Sequence, residues 1–538
     1  MPNARSQTNS VSQIHSPDCS GLDWDWGCTS EALKLSRLNR SRTSANSAKS
    51  PAMAPLASIV VRPHAMEDRC LVAPHPEVRQ RLLTRYNEIK ATIAQSSELS
   101  FLRSVLRPIE RRPPGFNDGL LRPGPTFRPG MTFAAQLKER VLLRGDVNVI
   151  VVLVDFSDQK FTPSQTKEHY AKLWFQEGSN SVKDYFRDVS NNKVDIKGEV
   201  VGPYRMPKPI SYYANEENGT GSTAPNARTM ARDAAILANP KVNFSKYDND
   251  GDGFVDAFVI VHAGSGAERT SNPNDIWSHK WVLDKGAYQA DGTKVYSYLT
   301  VPADCKLGVC AHELGHLAFG WPDLYDADYT SSGIGDWCLM AGGSYNGNED
   351  NPATPCAWCK VDQGWVEVIT PKETQKVSLP DVKDEHKVLK LWTDGVAMSE
   401  YFLVENRQLK GRDKDLPAGG LLVWHIDETK DDNTSEQTNY KVALVQSDGL
   451  MELERTKRDQ GDNGDPFPGV KGVRVINTTT NPSTKGNNGV PTGVAISDIS
   501  DPADVMTFTV SVSNKNPAKA QIGEGSTSDV AKIHLSTH

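Results

Sequence analysis

A chain of 538 residues exceeds what one hydrophobic core organises, so two or three domains are expected. Hydrophobic residues make up 38% and charged residues 24%, an ordinary balance for a globular protein with polar tails. The net charge of −7 leaves no basic footprint for nucleic acid, and no apolar run approaches the ~18 residues of a membrane-spanning helix.

Residues 1–66 read as disordered. The first 52 are rich in Ser, Asn and Arg and hold no apolar h-region, so Met1 does not begin a secretory signal, and Met53 is an alternative start. From Pro76 to Gln95 the pattern is an amphipathic helix, with Val78, Leu82, Tyr86, Ile89 and Ile93 on one face and Pro76 suited to the first turn. Residues 107–130 form a Pro/Gly/Arg linker containing Arg111-Arg112. Residues 67–130 therefore read either as a helical prosegment with its linker or as a plain N-terminal helix packed on the next domain.

A catalytic domain is expected over 131–371. Asp146 to Phe156 reads as a buried strand, Asn180 to Val189 as a short capped helix, and Val194, Ile196, Gly198 and Val200 as a half-buried strand. Pro225 to Leu237 reads as a helix and Val255 to His262 as a strand. Between them, Asp248-Asn-Asp250-Gly-Asp252-Gly-Phe-Val-Asp256 sets carboxylates at positions 1, 3, 5 and 9, and glycine at 6, of a calcium-loop pattern. Position 12 is Val259 rather than a bidentate Glu, so the alternative is an Asx-rich turn. The calcium reading is structural rather than catalytic.

The chemistry concentrates at Cys310-Ala-His312-Glu313-Leu-Gly-His316-Leu-Ala-Phe-Gly320-Trp-Pro-Asp323-Leu-Tyr-Asp326. His312 and His316 stand one helical turn apart, so both imidazoles reach one metal ion, and Glu313 beside them is placed to take a proton from a bound water. Gly320 can end the helix, Pro322 cannot continue it, and Asp323 follows as third ligand with Asp326 as the competing choice. Gly335 to Gly343 looks like a Met-turn, with Met340 beneath the metal site. This is a zinc hydrolase pattern. Tyr345 is a weaker candidate for oxyanion stabilisation.

These segments make the chain resemble the immune-inhibitor-A type of secreted zinc metallopeptidase, which is metzincin-like. Also matching are Val151 to Phe156, Ser181 to Ser190, Asp248 to Asp256, Glu400 to Arg407 and Leu422 to Glu428. The likeness runs from about Cys70 to about Val512. One residue is extra: Gly320 and Asp323 stand eight and eleven residues after His312, where the family usually has seven and ten. The resemblance implies an α+β metzincin-like domain with a mixed sheet and an active-site helix. It also implies export, catalytic Zn²⁺, protein or peptide substrates, and a strand at Val255 to His262 beside the cleft.

From about Lys372 short strands follow one another: Lys376–Ser378, Val388–Trp392, Tyr401–Glu405, Gly420–His425, Lys441–Gln446 and Met506–Val512. They suggest a β-sandwich-like domain over 372–513, with a disordered tail over 514–538. His425 reads as structural. Of the eight cysteines, Cys305, Cys310, Cys338, Cys356 and Cys359 flank the site and are expected to brace it with disulfides. Cys70 precedes the first helix; a thiolate there could occupy the water position on zinc, the alternatives being a disulfide with the odd cysteine near the site or simple burial. Five Asn-x-Ser/Thr sequons, at Asn39, Asn218, Asn243, Asn433 and Asn477, permit glycosylation.

The function expected is zinc-dependent endopeptidase chemistry with Glu313 as general base. Rival readings are a catalytically idle binding protein, against which the intact Glu313 counts, and a zinc hydrolase of other amides or esters.

Overall fold

The computed structural model describes residues 70–81, 84, 141–326, 331–433, 439–455 and 459–513. The expected disordered segments 1–66 and 514–538, and most of the helix expected at Pro76 to Gln95, lie outside them; residues 76–81 and 84 are helical.

The fold is mixed α+β. Its centre is β2 (Gly145–Asp155), whose eleven residues include an unbroken buried run from Val149 to Val154. A strand covered on both faces has no polar side, which is why its sequence shows no alternation. Its alternate side chains do separate in space. Val147, Val149, Val151 and Leu153 join one core with Tyr185, Phe186, Leu314 and Phe319. Ile150, Val152 and Val154 join the other with Met230, Ala231 and Ala234. The first core thus takes up residues of helices α2 (Val182–Val189) and α4 (Leu307–Phe319), and the second those of α3 (Ala227–Ala238). Ser181 caps α2 through a capping box with Asp184. A further helix, α1 (Lys167–Phe175), contributes Tyr170 and Trp174 to the first core.

The remaining strands of this sheet are β1 (Cys70–Leu71), β3 (Val194–Arg205), β4 (Phe258–His262), β5 (His279–Val282) and β8 (Ser297–Pro302). A small hairpin, β6 (Tyr288–Ala290) and β7 (Thr293–Val295), lies between β5 and β8 in the chain. The order across the sheet is β1-β5-β8-β4-β2-β3. Strands β8, β4, β2 and β3 are parallel, whereas β5 runs antiparallel to β8 and β1 antiparallel to β5. The strand expected beside the cleft, β4, is instead interior, hydrogen-bonded to β2 and β8 on its two sides. Its complete burial is what the apolar run reports. The antiparallel strand next to the N-terminal segment is β5.

The C-terminal strands are β9 (Glu367–Ile369), β10 (Gln375–Pro380), β11 (Lys387–Trp392), β12 (Glu400–Arg407), β13 (Gly420–Asp427), β14 (Val442–Leu444), β15 (Val494–Ser497) and β16 (Val505–Val512). They make a five-stranded sheet, β14-β13-β12-β11-β9, and a three-stranded sheet, β10-β16-β15. Leu389, Leu391, Phe402, Val404, Leu421 and Val423 from the first share a core with Leu379, Ile496, Phe508 and Val510 from the second. The opposite face of the five-stranded sheet, through Leu403, Trp424 and Ile426, enters the same core as α4. That sheet begins at β9, before residue 372. His425 stacks on Phe402 and bonds Glu400 at 2.8 Å, a structural role. Among the described residues no helix is long and apolar enough to cross a membrane.

Candidate active site

Helix α4 is buried along all thirteen residues. Close packing explains its glycines: a Cβ on Gly308 would stand 1.8 Å from the Ser344 carbonyl oxygen, and one on Gly315 2.8 Å from the Met340 sulfur. Gly320 ends the helix at φ 67°, and its backbone turns the chain so that Trp321 and Asp323 come back along the helix.

The two imidazoles are held from behind. His312 Nδ1 donates to the Leu339 carbonyl at 2.9 Å, and His316 Nδ1 donates to the Trp321 carbonyl at 2.5 Å. Such bonds fix the tautomer and leave Nε2 of each ring as a bare lone pair. The two Nε2 atoms stand 3.0 Å apart. Asp323 Oδ1 stands 3.2 Å from the one and 3.1 Å from the other. With both rings carrying their proton on Nδ1, these contacts contain no donor. Asp323 Oδ1 is accordingly a buried oxygen without a hydrogen-bond partner. Three acceptors facing one another in a buried site repel unless a cation lies between them. Ligands of one tetrahedral zinc, bonded at about 2.0–2.1 Å, stand roughly 3.3 Å apart. The donor set and its spacing therefore fit such an ion.

Electrostatics point the same way. Burial works against charge on His316, yet Cys70 and Asp323 beside it push its affinity for a proton well above the ordinary value. Burial also works against the Asp323 carboxylate, but the two histidines beside it hold its pKa below the usual range. The pocket attracts positive charge. Glu313 is fully buried, and neither of its oxygens has a hydrogen-bond partner among the described residues. Burial pushes its pKa well up.

Asp326 does not join the triangle. Its Oδ2 accepts from the backbone and hydroxyl of Ser331 at 2.7 and 2.8 Å. Met340 is fully buried and packs under Gly315. The Tyr345 hydroxyl donates to the Ala73 carbonyl of the N-terminal segment. The loop carrying Met340 is braced from the C-terminal sheet. Arg407 donates to the Trp337 carbonyl at 2.6 Å and is paired with Asp413, both fully buried. Glu405 accepts from Ala357, Lys360 and Trp424.

The expected disulfides are absent: Cys305, Cys310, Cys338, Cys356 and Cys359 are buried thiols. The Cys356 and Cys359 sulfurs are 3.7 Å apart, one turn apart at the start of a helix, α5 (Ala357–Asp362), and Cys338 lies close to both. Two sequons are also buried; Asn433 spends its amide on the Leu324 and Val442 carbonyls.

In the acidic loop, Asp248, Asp250 and Asp256 bring oxygens within 4.8 Å of one another, whereas Asp252 stands outside that group. Asp252 instead accepts from the Phe254 backbone at 2.8 Å. Gly251 and Gly253, at φ 75° and 85°, let the loop fold back. Asn249 ties it to Asn148 of β2 with bonds in both directions.

Two histidines and a carboxylate converge on one point, with a buried glutamate beside them, and make a candidate metal centre. Residues 141–368 match the family of the immune inhibitor A peptidase M6 catalytic domain. The chain is 30% identical over 269 residues to the pre-pro-metalloprotease PrtV of Vibrio cholerae serotype O1, covering 39% of this chain and 29% of that protein. It is 30% identical over 258 residues to immune inhibitor A of Bacillus thuringiensis subsp. alesti, covering 38% and 37%. The chain thus spans about a third of the length of these curated relatives. Over residues 141–368 the chain is thus similar to immune inhibitor A peptidase M6 catalytic domains.

Proposed function

We propose that the protein is a zinc-dependent metalloendopeptidase acting on protein or peptide substrates. The observation that carries the reading is the donor-free triangle of His312 Nε2, His316 Nε2 and Asp323 Oδ1, next to a buried Glu313 carboxyl. In this reading the three hold Zn²⁺ and Asp323, rather than Asp326, is the third ligand. Bound there, the ion would supply Lewis acidity, lowering the pKa of a water from ~15.7 to about 7. Glu313 accepts that water's proton and returns it to the leaving amine. Leu339 and Trp321 keep the imidazoles aimed through their carbonyls. Met340 forms the floor as a Met-turn in a metzincin-like domain. Tyr345, whose hydroxyl already binds a backbone carbonyl in the cleft, is offered as the group that steadies the developing oxyanion. Strand β5, rather than β4, is the edge against which an extended substrate pairs.

The two C-terminal sheets are read as a β-sandwich-like region, and the protein as exported. The loop at Asp248, Asp250 and Asp256 is read as a structural calcium site, with Asp252 shaping the turn.

Casein hydrolysis tests the activity, with and without a zinc chelator, on the full chain before and after brief trypsin treatment. Chelator-sensitive cleavage is expected. Hydrolysis of small esters alone, with casein untouched, would contradict the peptidase reading.

A further inference from the structure

Strand β1 occupies the edge of the catalytic sheet as an extended peptide would. It pairs antiparallel with β5, Cys70 opposite Lys280 and Leu71 opposite His279. The next residues stay in the cleft. Val72 N donates to the Ser278 carbonyl at 3.2 Å, and His75 N to the Glu268 carbonyl at 2.9 Å. The carbonyls of Leu71, Val72 and Ala73 accept from Tyr325, Trp277 and Tyr345 respectively. Arg79 reaches the Ser332 hydroxyl at 3.0 Å. These bonds are of the kind that hold a β-strand ligand through its main chain.

This register delivers one side chain to the metal centre. Cys70 is buried, and its sulfur lies within 4.8 Å of ligand atoms of both His316 and Asp323. A thiolate and an imidazole on one tetrahedral zinc, bonded at about 2.3 and 2.0–2.1 Å, stand roughly 3.5 Å apart. Two independent observations therefore converge: a peptide-like strand in the cleft, and a soft-metal ligand where that strand passes His316 and Asp323.

We propose that Cys70 is the fourth ligand of the metal in this state, so that the chain's own N-terminal strand closes the site and shuts out both water and substrate. The inference rests on the metal site proposed above. Four protein ligands make a closed site of the structural type; three with an open position make a catalytic one. Opening requires the metal–sulfur bond to break. The sulfur leaves with its electron pair and takes a proton from solvent, and a water enters the position it held. No oxidant or reductant is needed.

Two measurements on the intact chain test this. Zinc X-ray absorption of the unmodified protein should report one sulfur at about 2.3 Å among nitrogen and oxygen neighbours. The cobalt(II)-substituted protein should show a near-ultraviolet thiolate-to-metal band. Cys70→Ser should lose that band while keeping one bound cobalt and its visible bands, and Cys70→Ala should do the same. A zinc shell of nitrogen and oxygen alone overturns the proposal, as does a thiolate band that survives both substitutions and so belongs to Cys338, Cys356 or Cys359. In both cases loss of the metal in His316→Ala would leave the metal site itself standing. If His312→Ala and His316→Ala bind cobalt as the unmodified chain does, the metal site fails, and the proposal with it.

Discussion

At the scale of single residues, the site rests on which atoms have partners and which do not. Glu313 is buried with both oxygens unpartnered, so replacing it by Gln keeps its volume and leaves the metal ligands alone. Glu313→Gln is expected to bind zinc normally and to lose about 10²–10⁴-fold in turnover, the ordinary worth of a general base. Metal analysis and a casein assay on one sample check both halves. Gly315→Ala tests the packing beneath the histidines, since the added methyl meets Met340 at 2.8 Å and Trp321 at 3.0 Å. Overpacking of this kind costs about 1–3 kcal/mol, read as a lowered denaturation midpoint. The convergence of the two histidines beside Glu313 was legible in the sequence because it follows from helical spacing alone. The choice between Asp323 and Asp326 was not. It depends on the path of the turn after Gly320, which is set by the Trp321 carbonyl accepting from His316 and by Leu324 N donating to Met340 at 2.8 Å.

At the scale of elements, strand type was easier to read than strand position. The run in β2 announced a buried strand, and the capped helix at Ser181 was marked by its own local hydrogen bonds. Strand β5 went unread because His279-Lys280-Trp281-Val282 shows neither alternation nor an apolar run, although all four residues are buried. That β4 is interior and β5 lies toward the edge is a matter of strand order, which no local pattern encodes. The acidic loop showed the reverse: its spacing implied four carboxylates, and three converge. Calcium binding to the folded state alone raises its melting temperature with concentration. The unmodified chain should show that rise, whereas Asp248→Asn combined with Asp256→Asn should show little. A melting curve indifferent to calcium in the unmodified chain would reduce the loop to an ordinary turn.

At the scale of the whole molecule, the C-terminal strands are tied to the catalytic centre by a shared core and by Arg407. Its guanidinium spans from Asp413 to the carbonyl of Trp337, three residues before Met340. Removing one member of a fully buried pair costs about 3–5 kcal/mol, and Asp413 would be left with the longer ion pair to Lys383 at 3.4 Å. Arg407→Ala is therefore expected to lower stability by that amount and to loosen the loop under the metal; a denaturant titration reads it, and a change under 1 kcal/mol would show the pair to be dispensable. The motif around Glu400 to Arg407 was visible in the sequence, but its meaning as a brace was not, because the Trp337 carbonyl that Arg407 holds lies seventy residues away in the chain.

The central claim is that His312, His316 and Asp323 hold a zinc ion that works with Glu313 to cut peptide bonds. The most direct measurement pairs zinc content with chelator-sensitive casein hydrolysis, after brief trypsin treatment, in the unmodified chain, Glu313→Gln and His316→Ala. The account predicts one zinc per chain with activity in the first, one zinc without activity in the second, and neither in the third. Undiminished hydrolysis by Glu313→Gln, or zinc retained by His316→Ala, would contradict it.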